Sequence, residues 1–291
     1  MENNNYQGNG QNGYPQNGSG QYSYTPNGQN GYYQYGPNAY GQQEQGEYRH
    51  PQADYLYGQQ VYNDGYVRTE GLSAHMTKIF GLMVVGLLIS AVIAVVVQLN
   101  IGVLFAGGAG KFIIGGAVIL ELVLVFAIAG TLGAKEKPKT GLATGLFILY
   151  SAVTGITLAV ITFGFSLGSI IHAFVVCALF FTALCIVGHL TNYRILKYGR
   201  MLMFGLIFLI VAELISMIFF PFSTSRLLFD VAGVALFSFY TVYDFQAIKY
   251  TYSVAQTQEQ VKAGVVMGAL SLYLDFINLF IRLLSILGNR D

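Results

Sequence analysis

Seven apolar runs of twenty residues or more follow one another from residue 79 almost to the end of the chain. They are Ile79–Leu99, Phe112–Gly133, Gly141–Phe163, Leu167–His189, Met201–Phe220, Leu227–Ile248 and Gly264–Leu287, each bounded by charge, proline or glycine. About twenty apolar residues, rising ~1.5 Å each as a helix, cross ~30 Å of hydrocarbon. Lipid cannot satisfy free backbone groups, and the runs show no two-residue alternation, so helices rather than strands are required. The expected fold is therefore all-α, a polytopic bundle of seven transmembrane helices. Gly164-Phe165-Ser166 is the narrowest separator and reads as a tight helical hairpin. Composition agrees: 10% of residues are charged and 54% hydrophobic, whereas a soluble domain carries ~25% charged residues.

The chain divides near residue 70. Residues 1–70 are expected to form a disordered cytoplasmic tail and residues 71–291 the seven-helix domain. The tail is built from Gly, Asn, Gln and Tyr and holds 13 of the 21 tyrosines by position 66. With almost no aliphatic residues it cannot bury enough apolar area to offset its ordering entropy. Two readings stay open for it: a solvated tail, or a self-associating arm of prion-like composition. It lacks the basic start and apolar stretch of a signal peptide.

Basic residues set the expected orientation. Arg49, Arg68, Lys78, Lys135, Lys137, Lys139, Arg194, Lys197, Arg200, Lys249 and Lys262 fall on one side, and only Lys111, Arg226 and Arg290 on the other. The asymmetry predicts a multi-pass protein of the cell membrane with its N-terminus cytoplasmic and its C-terminus outside. A formal net charge of +1 argues against nucleic acid, which calls for a basic surface. Cys177 and Cys185 lie about 12 Å apart along one helix, too far to bridge, and read as buried thiols.

An ionisable side chain inside a span is costly and marks a functional candidate by default. Glu121, Glu213, Asp244 and Asp275 lie within the runs, with Asp230 nearer an interface. In the last run Gly264, Gly268, Ser271, Asp275, Asn278 and Arg282 are spaced 4, 3, 4, 3 and 4 residues apart, which places them on one helical stripe. That stripe is expected to face protein, while the apolar faces meet lipid or packed neighbours. Asp230, Gly233, Phe237, Tyr240 and Asp244 make a similar stripe on the preceding helix. Two adjacent helices can thus bring Asp244 and Asp275 together. Two carboxylates held close in low dielectric cannot both ionise cheaply and would share a proton. Fully ionised, they would offer ligands to a hard cation such as Ca²⁺. The alternative is two separate aspartates, each hydrogen-bonded across helices to Ser, Tyr or Asn.

The stretch Leu272-Tyr273-Leu274-Asp275-Phe276-Ile277-Asn278-Leu279-Phe280 resembles the last-helix signature of the Bax inhibitor-1 family. Tyr240-Thr241-Val242-Tyr243-Asp244-Phe245-Gln246 resembles that family's sixth-helix motif, in its bacterial YetJ/YccA-like branch. The resemblance covers roughly residues 70–291. It implies six helices surrounding a central seventh, and a pH-sensitive Ca²⁺ leak whose sensor is the aspartate pair, here Asp244 and Asp275. It also implies a role for Glu121 as the second-helix glutamate. Family members carry a basic residue near the cytoplasmic end of helix two that latches the helix-six aspartate. Lys135 is the nearest basic residue here, and Lys lacks the bidentate fork of Arg. The loop Thr251–Gln260 reads as long for this branch.

Other polar residues keep two readings each. Glu213 joins the central polar set, or is a protonated carboxyl bonded to Ser216 or a neighbour. Arg282 partners an outer-facing acid or snorkels to the interface. His172 and His189 read as interfacial or hydrogen-bonded rather than metal ligands. Tyr240, Ser271 and Asn278 are expected to support the aspartates. No His-Glu-x-x-His motif or phosphate loop is present, and Asp275 lacks the preceding glycines of an intramembrane aspartyl protease, so the reading is non-enzymatic. No cofactor is expected, with Ca²⁺ as the permeant ion. Lipid, protons and Ca²⁺ are the expected partners. A second function class is a membrane-embedded modulator of a protein partner such as a quality-control protease, which the long tail would suit.

Overall fold

The computed structural model describes residues 71–102, 110–133, 138–219 and 224–289. The expected tail, and Lys135 with it, lie outside the described residues. Among the described residues seven long helices stand in the order α1 (Leu72–Leu99), α2 (Gly110–Leu132), α3 (Thr140–Thr162), α4 (Leu167–Leu190), α5 (Gly199–Phe219), α6 (Thr224–Val254) and α7 (Gln258–Leu287). All seven are long and apolar enough to cross a membrane. The described residues contain no strand. A 3-10 turn, Tyr193–Tyr198, links α4 to α5. Gly164–Ser166 forms the tight hairpin between α3 and α4, and Ser166 caps α4 by accepting the Ser169 N–H at 3.3 Å.

Three helix ends lie six or seven residues beyond the sequence reading. Helix α1 begins at Leu72 rather than Ile79, because its extra turns are amphipathic: His75 and Met76 are buried while Ser73, Thr77 and Lys78 face out. Gly71 stops it at a φ of 100°, a left-handed conformation that favours glycine. The connection expected at Thr251–Gln260 is only residues 255–257. Helix α6 runs on to Val254, with Tyr252 packed against His75 at a ring separation of 4.5 Å. Helix α7 starts early on a capping box: Thr257 accepts the Gln260 N–H at 3.2 Å, and the Gln260 side chain accepts the Thr257 N–H at 3.3 Å. Hydropathy marks where apolar residues end, whereas these helices continue past that point on caps and tertiary contacts.

Helix α7 is the axis of the bundle. It packs against α1, α2, α3, α4 and α6, and α5 reaches it through an ion pair. Leu272, Tyr273, Leu279 and Leu284 are fully buried. The polar stripe is therefore not the only face of α7 turned to protein. A central helix meets neighbours all round, so its apolar faces are buried as well. Lipid tails are as apolar as leucine, so association rests on close packing and interhelical hydrogen bonds. At Gly155 an added Cβ would sit 2.7 Å from the Ser90 carbonyl oxygen and 2.7 Å from Ile93, so α1 and α3 touch nearly backbone to backbone. Gly268 opens the same kind of space for Ile79 of α1 and Ile248 of α6.

Candidate functional site

Helices α6 and α7 leave and re-enter through a three-residue turn, residues 255–257, which forces them side by side and antiparallel. Asp244 and Asp275 therefore face the same helix–helix seam and interact with one another electrostatically. Asp275 is 3% exposed, and Asp244 is half-buried. Each faces a hydroxyl on the other's helix: Ser271 of α7 at Asp244, and Thr241 of α6 at Asp275. The Thr241 proton is already given to the Phe237 carbonyl at 2.8 Å. The Asp275 Oδ2 is left buried without a hydrogen-bond partner, an arrangement that is rare in folded proteins. Tyr240 and, from α4, Cys185 lie within electrostatic reach of Asp275. Asn278 turns to its own helix and donates to the Leu274 carbonyl at 2.8 Å. The described residues hold no group of three or more His, Cys, Asp or Glu side chains placed for a metal ion. Two carboxylates and two hydroxyls can take up or release a proton, or touch a passing cation.

Glu121 belongs to a different cluster. Its Oε1 accepts the Thr157 hydroxyl at 2.7 Å, and Tyr150, Thr154 and Tyr273 surround it. The Tyr273 hydroxyl meets Ser90 at 2.6 Å, and Ser90 donates to the Ser151 carbonyl at 2.7 Å. Tyr273 and Asp275 are two residues apart on α7, about 200° around the helix. The two clusters thus lie on opposite sides of the axis.

Glu213, Asp230 and Arg282 form a third cluster nearer the ends of α5, α6 and α7. The Arg282 guanidinium pairs with Glu213 and lies 3.3 Å from Asp230. Ser285 donates to Asp230 Oδ2 at 2.5 Å. Arg282 thus partners acids rather than snorkelling. Glu213 is an ion-pair partner, which neither sequence reading of it included. Gly233 makes the room: a Cβ there would lie 2.8 Å from Arg282 Nε.

Sequence reasoning missed Thr241, the Ser90–Tyr273 link and Gln246. Uncharged side chains gave no burial signal of their own. Gln246 is fully buried and donates to the Gly188 and Thr191 carbonyls, which the end of α4 leaves without helical partners. Its place in the quoted Tyr-Asp…Gln motif was the available clue. His172 and His189 stand at opposite ends of α4, with the His189 ring edge-on to Phe245 at 6.1 Å. Both cysteines are buried and free.

The family described as "Inhibitor of apoptosis-promoting Bax1" matches residues 72–291. The chain is 35% identical over 224 residues to the inner membrane protein YbhL of Escherichia coli, covering 76% of this chain and 93% of that protein. It is 38% identical over 218 residues to an uncharacterized protein of Borreliella burgdorferi, covering 74% and 91% of the two chains. An uncharacterized membrane protein of Streptococcus pyogenes is 37% identical over 177 residues, covering 60% of this chain and 74% of that one.

Proposed function

The chain is a multi-pass membrane protein of the Bax inhibitor-1 family, and from that premise we propose that it is a pH-sensitive cation leak, permeable to Ca²⁺ and gated by Asp244 and Asp275. One observation carries the reading: two acids on adjacent helices act on each other in the bundle interior, and a buried oxygen of Asp275 has no partner. A proton taken up by the pair cancels the repulsion across the α6–α7 seam, and its loss restores it. Any difference in how the closed and open states hold the charged pair then couples pH to the conformational equilibrium. Ser271 and Thr241 supply oxygen for a dehydrating ion alongside the carboxylates. The sensor in this reading is the aspartate pair alone, and Glu121, across the α7 axis, belongs to a separate hydroxyl cluster. The protein has no catalytic role in this reading and needs no cofactor.

Purified protein in liposomes containing a Ca²⁺-sensitive dye tests the proposal across pH 6 to 8. Wild type should pass Ca²⁺ with a pH-dependent rate, and Asp244→Asn/Asp275→Asn should flatten that dependence. Flux in the double variant that keeps the wild-type pH profile rejects the sensor. Absence of flux, together with a partner captured only when residues 1–66 are present, would favour the modulator instead.

A further inference from the structure

Three basic residues line up at the link between α4 and α5. Arg194 and Lys197 lie in the 3-10 turn Tyr193–Tyr198, and Arg200 lies in the first turn of α5. A 3-10 helix has three residues per turn, so side chains three apart eclipse, about 6 Å from one another along the axis. Gly199, between the turn and α5, keeps helical angles, φ −54° and ψ −42°, so Arg200 continues the row. All three basic residues are exposed, while Ile195 and Leu196 are half-buried.

The turn is held against α6. A Cβ at Gly199 would lie 2.9 Å from Cζ of Tyr243, and Lys249 of α6 donates to the His189 carbonyl at the end of α4 at 3.2 Å. The row is therefore positioned before anything binds, which lowers the cost of binding. No acid answers its charges. The chain carries no Asp or Glu from residue 137 to residue 212, and the ion pairs among the described residues use Lys262 and Arg282 instead. The Lys197 ammonium stands 4.8 Å over the Tyr198 ring, a contact that leaves its charge uncancelled.

Depth narrows the partner. Leu190, the last residue of α4, is 75% exposed, and Met201, next to Arg200, is 66% exposed, as suits side chains against lipid tails. A six-residue turn between two spans cannot carry the row far from the hydrocarbon edge. What stands at that level is the headgroup layer, where basic clusters attract anionic lipid. Arginine matches phosphate oxygens with paired N–H donors, and two of the three residues are arginine. A second copy docked through the same face would set like charges against each other.

We propose that the row Arg194–Lys197–Arg200 is a binding site for an anionic phospholipid of the phosphatidylglycerol class. The site is separate from the Asp244–Asp275 seam, and its readout is lipid retention rather than ion flux.

Native mass spectrometry of the full chain, delipidated and then exposed to phosphatidylglycerol or phosphatidylcholine of identical chains, tests it. Both lipids carry the phosphate, but choline adds a cation that the row repels. Wild type should retain phosphatidylglycerol roughly tenfold better. Arg194→Gln/Lys197→Gln/Arg200→Gln should abolish that preference. Lys78→Gln/Lys139→Gln/Lys262→Gln removes the same charge from exposed positions at the same end of the bundle and should keep it. Equal retention of the two lipids by wild type overturns the proposal, and so does a row variant that still prefers phosphatidylglycerol. Equal loss in both triple variants overturns it as well, because total charge and not the row would then hold the lipid.

Discussion

Arg282→Leu is the substitution whose cost the structure sets most directly. The guanidinium is 3.3 Å from Asp230 and also pairs with Glu213, and all three side chains are at most 30% exposed. At an effective dielectric of 20, one pair of unit charges at that separation attracts by about 5 kcal/mol before desolvation is counted. Removing the cation leaves one buried acid, Asp230, and one half-buried acid, Glu213, without it, and breaking a buried pair in this way costs about 3–5 kcal/mol. In a domain of this size 1 kcal/mol moves the melting temperature by about 2–4 °C. The single variant should therefore melt about 10 °C below wild type in detergent, followed by the loss of helical circular dichroism. Leucine is at home in a membrane, so the loss belongs to the stranded carboxylates rather than to packing. Combining Arg282→Leu with Glu213→Gln and Asp230→Asn leaves no charge to strand and should recover at least half of the drop. A single variant within 2 °C of wild type would refute the reasoning. So would a triple variant no better than the single one, which would show that the guanidinium stem and not its charge holds the helices.

Three further substitutions probe the packing that places the site. Tyr273→Phe removes the hydroxyl that joins α7 to Ser90 and should cost about 0.6 kcal/mol, the mean for interhelical hydrogen bonds in membranes, and at most about 1.7 kcal/mol. A double-mutant cycle with Ser90→Ala should be non-additive by a similar amount. Gln246→Leu strips the Gly188 and Thr191 carbonyls of their donor and should cost about 2–3 kcal/mol in equilibrium unfolding. Gly155→Val drives a side chain into the Ser90 carbonyl and Ile93; it should destabilise by more than 2 kcal/mol, measured as lost monodisperse protein on size exclusion, while Gly145→Ala, whose Cβ meets nothing within 4 Å, should behave as wild type.

The count and approximate extent of the spans follow from the amino-acid sequence alone. A backbone in hydrocarbon must satisfy its own hydrogen bonds, and seven runs of the right length leave helices as the solution. The spacing of Ser271, Asp275 and Arg282 likewise places them on one face of α7, because a helix turns 100° per residue whatever surrounds it. Which partner each of those residues meets was a matter for the tertiary structure. Arg282 could equally have snorkelled, and its approach to Glu213 and Asp230 depends on the missing Cβ of Gly233 across the interface. Glu121 and Asp275 looked alike as lone acids in apolar runs, yet the fold sets them on opposite sides of α7, one among hydroxyls and the other at the α6–α7 seam. Local periodicity is a property of the backbone and travels with the sequence. Pairings between helices depend on their rotation and depth, and those are settled only when every helix packs against the others.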